Sequence, residues 1–159
     1  MGVLEYLSAN HVSVANEAEG VVRSKQDALH RLSVLLANGN ADVGSDEIER
    51  VLGEREKIQS TGVGGGVAIP HGSIERLSKL VGAVLLCPAP IEFEAIDQAP
   101  VNILFAVIGP KRATGEHLKA LARVSRLLRD ESFRARLLRA QSGSDAFLLL
   151  AAEEGRVGP

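Results

Sequence analysis

Two apolar runs decide the fold: VGAVLLC at residues 81–87 and VNILFAVI at residues 101–108. Neither run shows the strict alternation of apolar and polar side chains that is typical of a strand with one face in water. Because both runs are short and almost continuously apolar, they predict strands buried on both faces of a sheet. Pro88 and Pro90 are expected to end the first strand, and Gly109-Pro110 the second.

Segments with helical spacing lie on either side of these two strands. Ser24 is a capping residue for the first helix, which Asn38-Gly39-Asn40 ends. Ser45 begins a second helix, which is expected to end near Lys57. Three further helices are predicted at residues 116–129, 133–140 and 146–152, the first of them with Leu118 and Leu121 among its apolar positions. Helices that alternate with fully apolar strands predict an α/β layered sandwich with the sheet flanked by helices.

The composition sets the domain count and excludes several classes of partner. With 159 residues, 45% of them hydrophobic and 24% charged, the chain is expected to form a single packed domain over residues 1–159. We expect its core at about residues 10–152 and a frayed tail at residues 153–159. Lys and Arg together number 18 against 20 for Asp and Glu, so no basic surface for nucleic acid is predicted.

The compartment expected from the sequence is the cytoplasm. Cys87 is the only cysteine, so no disulfide within the chain is possible. The N-terminal stretch MGVLEYLSANHVSV lacks the basic start and continuous apolar stretch of a signal peptide. The apolar runs are far shorter than the roughly 20 residues that span a bilayer, so no membrane insertion is expected.

A glycine-rich segment lies between the second helix and the first strand. It reads STGVGGG at residues 60–66, VAI at 67–69 and PHG at 70–72, which predicts a loop, a short strand and a second loop. A dinucleotide-binding fingerprint needs a strand before the glycines and a helix after them, and here the order is reversed. A phosphate-binding loop is excluded as well, because no Gly-Lys-Ser/Thr triplet is present.

His71 is the candidate nucleophile among the four histidines. Pro70 fixes the backbone before it and Gly72 frees the backbone after it, so the imidazole is expected at a strand end where a bulky partner can reach it. His11 and His30 are expected to be surface or edge residues.

His117 and Arg55 are the other candidate site residues. A ring in the first turn of helix 116–129 can point off the helix end toward a neighbouring loop. The guanidinium of Arg55 can hold two phosphate oxygens in one planar fork. A metal site built from His71, His117 and Asp97 is an alternative, although the spacing supplies no helix-borne His-x-x-x-His pair.

Several of these segments together resemble a known family. They are REK at residues 55–57, STGVG at 60–64, VAIPHG at 67–72, PIEFEAIDQAPV at 90–101, HL at 117–118 and LARVSRLL at 121–128. This set resembles the IIA components of the phosphoenolpyruvate-dependent phosphotransferase system, fructose/mannitol type, and covers most of residues 24–150. A chain of this size most resembles the free-standing, nitrogen-related branch of that family, which commonly carries Asn where this chain has Gly65.

The resemblance implies a fold and a reaction. The fold is a mixed, mostly parallel sheet flanked by helices. The family's phosphorylated histidine falls on His71, with Nε2 as the attacking atom, its second active-site histidine falls on His117, and its active-site arginine falls on Arg55. No cofactor or metal is implied. The reaction is protein-to-protein phosphoryl transfer through a phosphohistidine intermediate.

The resemblance also implies partners. The donor is a phosphohistidine carrier of the HPr type, and in the nitrogen-related branch the acceptor of the signal is a regulated target protein. The alternative is a sugar-specific IIA that passes the phosphoryl group to a IIB domain for fructose- or mannitol-type transport. A binding module without catalysis is disfavoured, because His71, His117 and Arg55 are all present.

Overall fold

A six-stranded mixed sheet forms the centre of the computed structural model, which describes residues 2–158. The strands are β1 (Val12–Val14), β2 (Gly62–Gly64), β3 (Val67–Ala68), β4 (His71–Ser73), β5 (Val81–Ile91) and β6 (Val101–Gly109). Their order is β1-β5-β6-β3-β2, and β4 also pairs with β6. The pairs β1–β5, β3–β6 and β4–β6 are parallel, whereas β5–β6 and β2–β3 are antiparallel. The expected mixed, mostly parallel sheet is confirmed.

Helices cover both faces of the sheet, as the layered prediction requires. They are α1 (Lys25–Ala37), α2 (Ser45–Ile58), α3 (Thr114–Leu127), α4 (Glu131–Leu137) and α5 (Gly143–Val157). One core lies between the sheet and α1 and α2, and a second lies between the sheet and α3, α4 and α5. Ser24 caps α1 as predicted, because its hydroxyl accepts a hydrogen bond from the Asp27 N–H at 3.1 Å. Among the described helices none is long and apolar enough to cross a membrane.

The two central strands bury alternate residues in the two cores. Val84 and Leu86 of β5 face α3–α5, whereas Leu85 faces α1 and α2. In β6, Phe105 faces α3–α5 and Leu104 faces α1 and α2. All five of these side chains are completely buried. The prediction of strands buried on both faces is therefore confirmed.

The prolines do not end β5, and that expectation is wrong. The strand continues to Ile91 through Pro88 and Pro90, which are exposed. The ladder with β6 shifts register between Leu86 and Ile91, so the residues between them need no ladder hydrogen bond. A proline lacks an N–H and is tolerated at such an irregularity.

The glycine-rich segment contains more strand than predicted. Residues 62–64 and 67–68 form an antiparallel pair, and His71–Ser73 forms a parallel pair with β6, so both predicted loops are wrong at these residues. The turn between β2 and β3 is built by Gly64, Gly65 and Gly66, whose φ angles are +99°, +67° and +81°. Positive φ angles strain most other residues, which accounts for glycine at all three positions of this chain.

Both ends of the predicted core also need correction. The core begins before residue 10, because Val3 is completely buried. Residues 153–157 are helical rather than frayed, since α5 continues to Val157. Buried Glu154 pairs with Arg123, and buried Glu153 pairs with Arg156 at 2.7 Å. These ion pairs keep the polar C-terminal segment packed against the protein, although its composition does not indicate packing. Met1 and Pro159 lie outside the described residues.

Candidate functional site

His71 is the first residue of β4 and lies at the carboxyl end of β6. The Val107 N–H donates to the Pro70 carbonyl at 2.9 Å, which places His71 beside Val107. Gly72 acts through its size, because its φ is not positive and a Cβ there would come within 2.5 Å of Val51 Cγ1. The expectation that Gly72 supplies backbone freedom is therefore wrong. The glycine allows α2, the helix of Arg55, to pack directly against the strand of His71.

One hydrogen bond sets the tautomer of the His71 ring. Nδ1 lies 2.7 Å from the Ile69 carbonyl oxygen. Because a carbonyl oxygen only accepts, Nδ1 must carry the proton and donate it. In the neutral ring, Nε2 then carries the lone pair. The ring is half-buried and lines an open groove.

His117 lies in the first turn of α3, close to the His71 ring. The two ring centroids are 6.1 Å apart, and the ring planes meet edge to face at 70°. The His117 side chain is buried, and its Nε2 has no hydrogen-bond partner among the described residues. Burial and, to a smaller extent, the neighbouring His71 lower the pKa of His117 below its ordinary value. The ring is thereby kept neutral at physiological pH.

Arg55 completes the same groove from α2. Its Nη1 donates to the Gln59 carbonyl at 2.7 Å, and within residues 2–158 no carboxylate lies close enough to form an ion pair with it. The groove has a volume of about 440 Å³ and is lined by His71, His117 and Arg55. The structure thus brings together the three candidate residues, which are separated by up to 62 positions (117 − 55) in the sequence.

A set of apolar side chains also lines this groove. It consists of Val51, Ile58, Leu118 and Leu121. Ile58 and Leu118 are 82% and 63% exposed. The sequence pattern places Leu118 on the buried face of α3, and that placement is wrong because the buried face instead carries His117, Ala120 and Val124. In the sequence, the sign that Leu118 belongs to the groove is its position directly after the candidate site residue His117.

The alternative metal site is not assembled. The two Asp97 carboxylate oxygens accept hydrogen bonds from the backbone N–H groups of Gly65, at 3.2 Å, and Ala99, at 3.1 Å. Over the described range 2–158, no three His, Cys, Asp or Glu side chains are grouped so that they could hold a metal ion. Asp97 instead stabilises the glycine turn between β2 and β3.

The lowered pKa of His117 predicts a pH dependence of folding stability. The unfolded chain binds a proton at this ring below about pH 6.5, whereas the folded chain resists protonation there. The free energy of unfolding should therefore fall as the pH is lowered through this range. Urea unfolding of the parent and of His117→Gln between pH 8 and pH 5 measures the effect, and the parent should lose more stability. Equal losses in the two proteins would contradict the assigned burial.

The comparisons with known proteins agree on one family. Residues 5–153 match the family model described as "Phosphoenolpyruvate-dependent sugar phosphotransferase system, EIIA 2". A nitrogen regulatory protein of Bradyrhizobium diazoefficiens is 39% identical over 132 residues, which are 82% of this chain and 84% of the relative. A fructose-specific EIIA component of Haloferax volcanii is 34% identical over 119 residues, which are 75% and 77% of the two chains.

A solved structure extends the likeness to three dimensions. The crystal structure of the nitrogen regulatory protein IIA-Ntr from Neisseria meningitidis matches with a TM-score of 0.82 and 31% identity. The match covers 93% of this chain and 98% of that chain. The described fold is therefore shared along nearly the whole of both molecules.

Proposed function

Because the chain belongs to the EIIA 2 family of the phosphoenolpyruvate-dependent sugar phosphotransferase system and is similar to nitrogen regulatory proteins, we propose that it accepts a phosphoryl group on Nε2 of His71. The donor is a phosphohistidine carrier of the HPr type. The observation that carries the proposal is the hydrogen bond from His71 Nδ1 to the Ile69 carbonyl, in a groove shared with His117 and Arg55. This hydrogen bond leaves the lone pair on the nitrogen that must attack phosphorus.

The transfer exchanges one phosphorus–nitrogen bond for another. The Nε2 lone pair of His71 forms the new bond, and the donor's bond breaks as its electron pair returns to the donor imidazole. Nδ1 of His71 keeps its proton, so the phosphorylated ring carries positive charge that the Ile69 carbonyl stabilises. A positively charged ring is a good leaving group, which suits a carrier that must pass the phosphoryl group on.

His117 and Arg55 are proposed to stabilise the phosphoryl oxygens. The charge on these oxygens dominates the energetics of phosphoryl transfer. Arg55 provides a planar fork with no competing carboxylate partner among the described residues. His117 provides a neutral ring whose centroid lies 6.1 Å from the centroid of the His71 ring. The buried Nε2 of His117 can donate a hydrogen bond to a phosphoryl oxygen. Preorganised donors of this kind act without reorganisation during the reaction.

The phosphorylation state is proposed to be read by a regulated target protein. The likeness to nitrogen regulatory proteins supports this assignment. The likeness to a fructose-specific EIIA component supports the second candidate, transfer to a IIB domain. Offering the phosphorylated protein to a fructose- or mannitol-type IIB domain separates the two. Rapid transfer would favour the transport role, whereas retention of the phosphoryl group would favour regulation.

His117→Ala should remain a phosphoryl acceptor but exchange the group more slowly. Loss of one hydrogen bond to a charged oxygen corresponds to a rate about 10-fold to 100-fold lower. Quench-flow measurement of transfer from the phosphorylated carrier gives the rate. The exposed His30 of α1, which contacts Glu49 of α2, provides the matched control His30→Ala. A His117→Ala rate equal to that of the control would remove His117 from the reaction.

A further inference from the structure

A buried carboxylate directly follows the proposed phosphoryl-binding arginine in the sequence. Glu56 follows Arg55 in α2, yet it is only 8% exposed. Its Oε1 accepts a hydrogen bond from the Thr61 N–H at 3.1 Å and lies 3.1 Å from the Lys25 ammonium. Its Oε2 accepts a hydrogen bond from the Thr61 hydroxyl. A charge-cluster sequence, EREK, suggests a solvated helix end, but this one carboxylate is fully engaged inside the protein.

The carboxylate is connected to His71 through two further hydrogen bonds. The Thr61 carbonyl accepts from the Ile69 N–H at 3.0 Å. The carbonyl of the same Ile69 accepts from His71 Nδ1 at 2.7 Å. Glu56 therefore fixes Thr61, Thr61 fixes the Ile69 backbone, and Ile69 selects the tautomer of His71.

Lys25 stabilises the charge of the buried carboxylate. Its ammonium group lies 4.6 Å from the centre of the Phe93 ring and contacts Glu56. Burial of a carboxylate is expensive unless it is paired and hydrogen-bonded, and here both conditions are met. The same ammonium lies 3.7 Å from Glu94, a largely exposed residue that contacts neither Thr61 nor Ile69 in the described hydrogen bonds.

We propose that Glu56 is a positioning residue that holds His71 in the tautomer with a free Nε2 lone pair. The proposal rests on the proposed function, in which that lone pair attacks phosphorus. Glu56 also anchors the last turn of α2, the turn that carries Arg55 toward the same groove. One buried carboxylate thus orients both the nucleophile and the proposed anion clamp.

The test measures the His71 tautomer directly, in the unphosphorylated protein. Nitrogen-15 chemical shifts of the neutral His71 ring report the ratio of Nδ1–H to Nε2–H forms. Glu56→Ala should lower this ratio about fivefold to tenfold. The ratio depends on the hydrogen bond from Nδ1 to Ile69, and the net contribution of a typical hydrogen bond corresponds to a factor of about this size. Phosphoryl acceptance should slow by a smaller factor, because its rate follows the fraction of rings with a free Nε2 lone pair and not the ratio itself. Glu94→Gln is the matched control, because it removes the other carboxylate near Lys25 and should leave both quantities unchanged.

Two further variants keep the proposal testable if Glu56→Ala does not fold. Thr61→Val removes the hydroxyl link alone and should shift the ratio in the same direction by a smaller factor. Glu56→Gln keeps an oxygen for the Thr61 N–H and should retain most of the parent ratio. A ratio within twofold of the parent in Glu56→Ala, or in Thr61→Val where Glu56→Ala does not fold, would overturn the proposal.

The two proposals fail in different ways. A shifted tautomer ratio in a protein that never accepts phosphate would support the positioning role of Glu56 and contradict phosphoryl transfer alone. An unshifted ratio in a protein that accepts phosphate normally would contradict the positioning role alone.

Discussion

His71→Ala is expected to accept no phosphoryl group from a phosphorylated HPr-type carrier, even after incubation times that saturate the parent protein. Removal of the imidazole removes the nitrogen that the geometry prepares for attack, since Nδ1 donates to Ile69 and Nε2 is left with the lone pair. His117 is not expected to replace it, because the His117 ring is buried and a phosphorylated carrier cannot readily reach it. Gel or mass measurement of incorporated phosphate gives the result.

The fold of the His71→Ala variant should survive. His71 is half-buried in a short strand, and its described side-chain hydrogen bond is to Ile69. The loss in free energy of unfolding should be about 1 kcal/mol, the value of a typical hydrogen bond. His30→Ala should accept phosphate at the parent rate, since His30 is an exposed residue of α1. Undiminished acceptance by His71→Ala would remove His71 from the mechanism, and a loss of several kcal/mol would indicate a structural role.

Arg55→Lys should slow phosphoryl acceptance about 10²-fold to 10³-fold although the charge is kept, which is the range for one preorganised electrostatic group. The guanidinium uses Nη1 to hold the Gln59 carbonyl and still has donors that can meet two phosphoryl oxygens. A lysine ammonium is a single point charge and cannot keep both contacts in the same geometry. Single-turnover kinetics with the phosphorylated carrier measure the effect.

Arg50→Lys provides the matched control for this variant. Arg50 lies on the same helix but is exposed and pairs with Glu54 at 3.1 Å. Its replacement should change neither the rate nor the stability, because an exposed ion pair contributes little. If Arg55→Lys transferred within twofold of the Arg50→Lys rate, Arg55 would be only a solvated charge near the end of α2.

The layered fold could be predicted because its two central strands carry the signal in their own residues. Continuous apolar runs at residues 81–87 and 101–108 exclude a solvated face, and both cores meet at these strands. The end of β5 could not be predicted in this way. Pro88 and Pro90 usually end a strand, but a shift in register leaves them without a required hydrogen bond.

The candidate site could be proposed from the sequence where its residues are close together or share a motif with a known family. His71 stands between Pro70 and Gly72, and Arg55 lies in the segment that carries the resemblance. The proximity of His117 to His71 depends on the pairing of β4 with β6 and on the start of α3 at the same sheet edge. No local pattern encodes that proximity.

Glu56 could not be identified from the sequence, for a physical reason. Its charged neighbours Glu54 and Lys57 are exposed, so the segment has the composition of a solvated surface. Only the folded backbone shows that one carboxylate turns inward to Thr61 and Lys25. The same holds for Glu154, whose buried pair with Arg123 holds a segment that composition alone predicts to fray.

The position of the phosphoryl group tests the central claim most directly. The protein is incubated with phosphoenolpyruvate, the first enzyme of the relay and its HPr-type carrier, with histidines labelled by nitrogen-15. Phosphorus–nitrogen coupling then identifies the bonded atom in the intact phosphoprotein. The structure predicts one acid-labile phosphoryl group, on Nε2 of His71, with the proton retained on Nδ1. Phosphate on Nδ1 of His71, or on any other residue, would contradict the account.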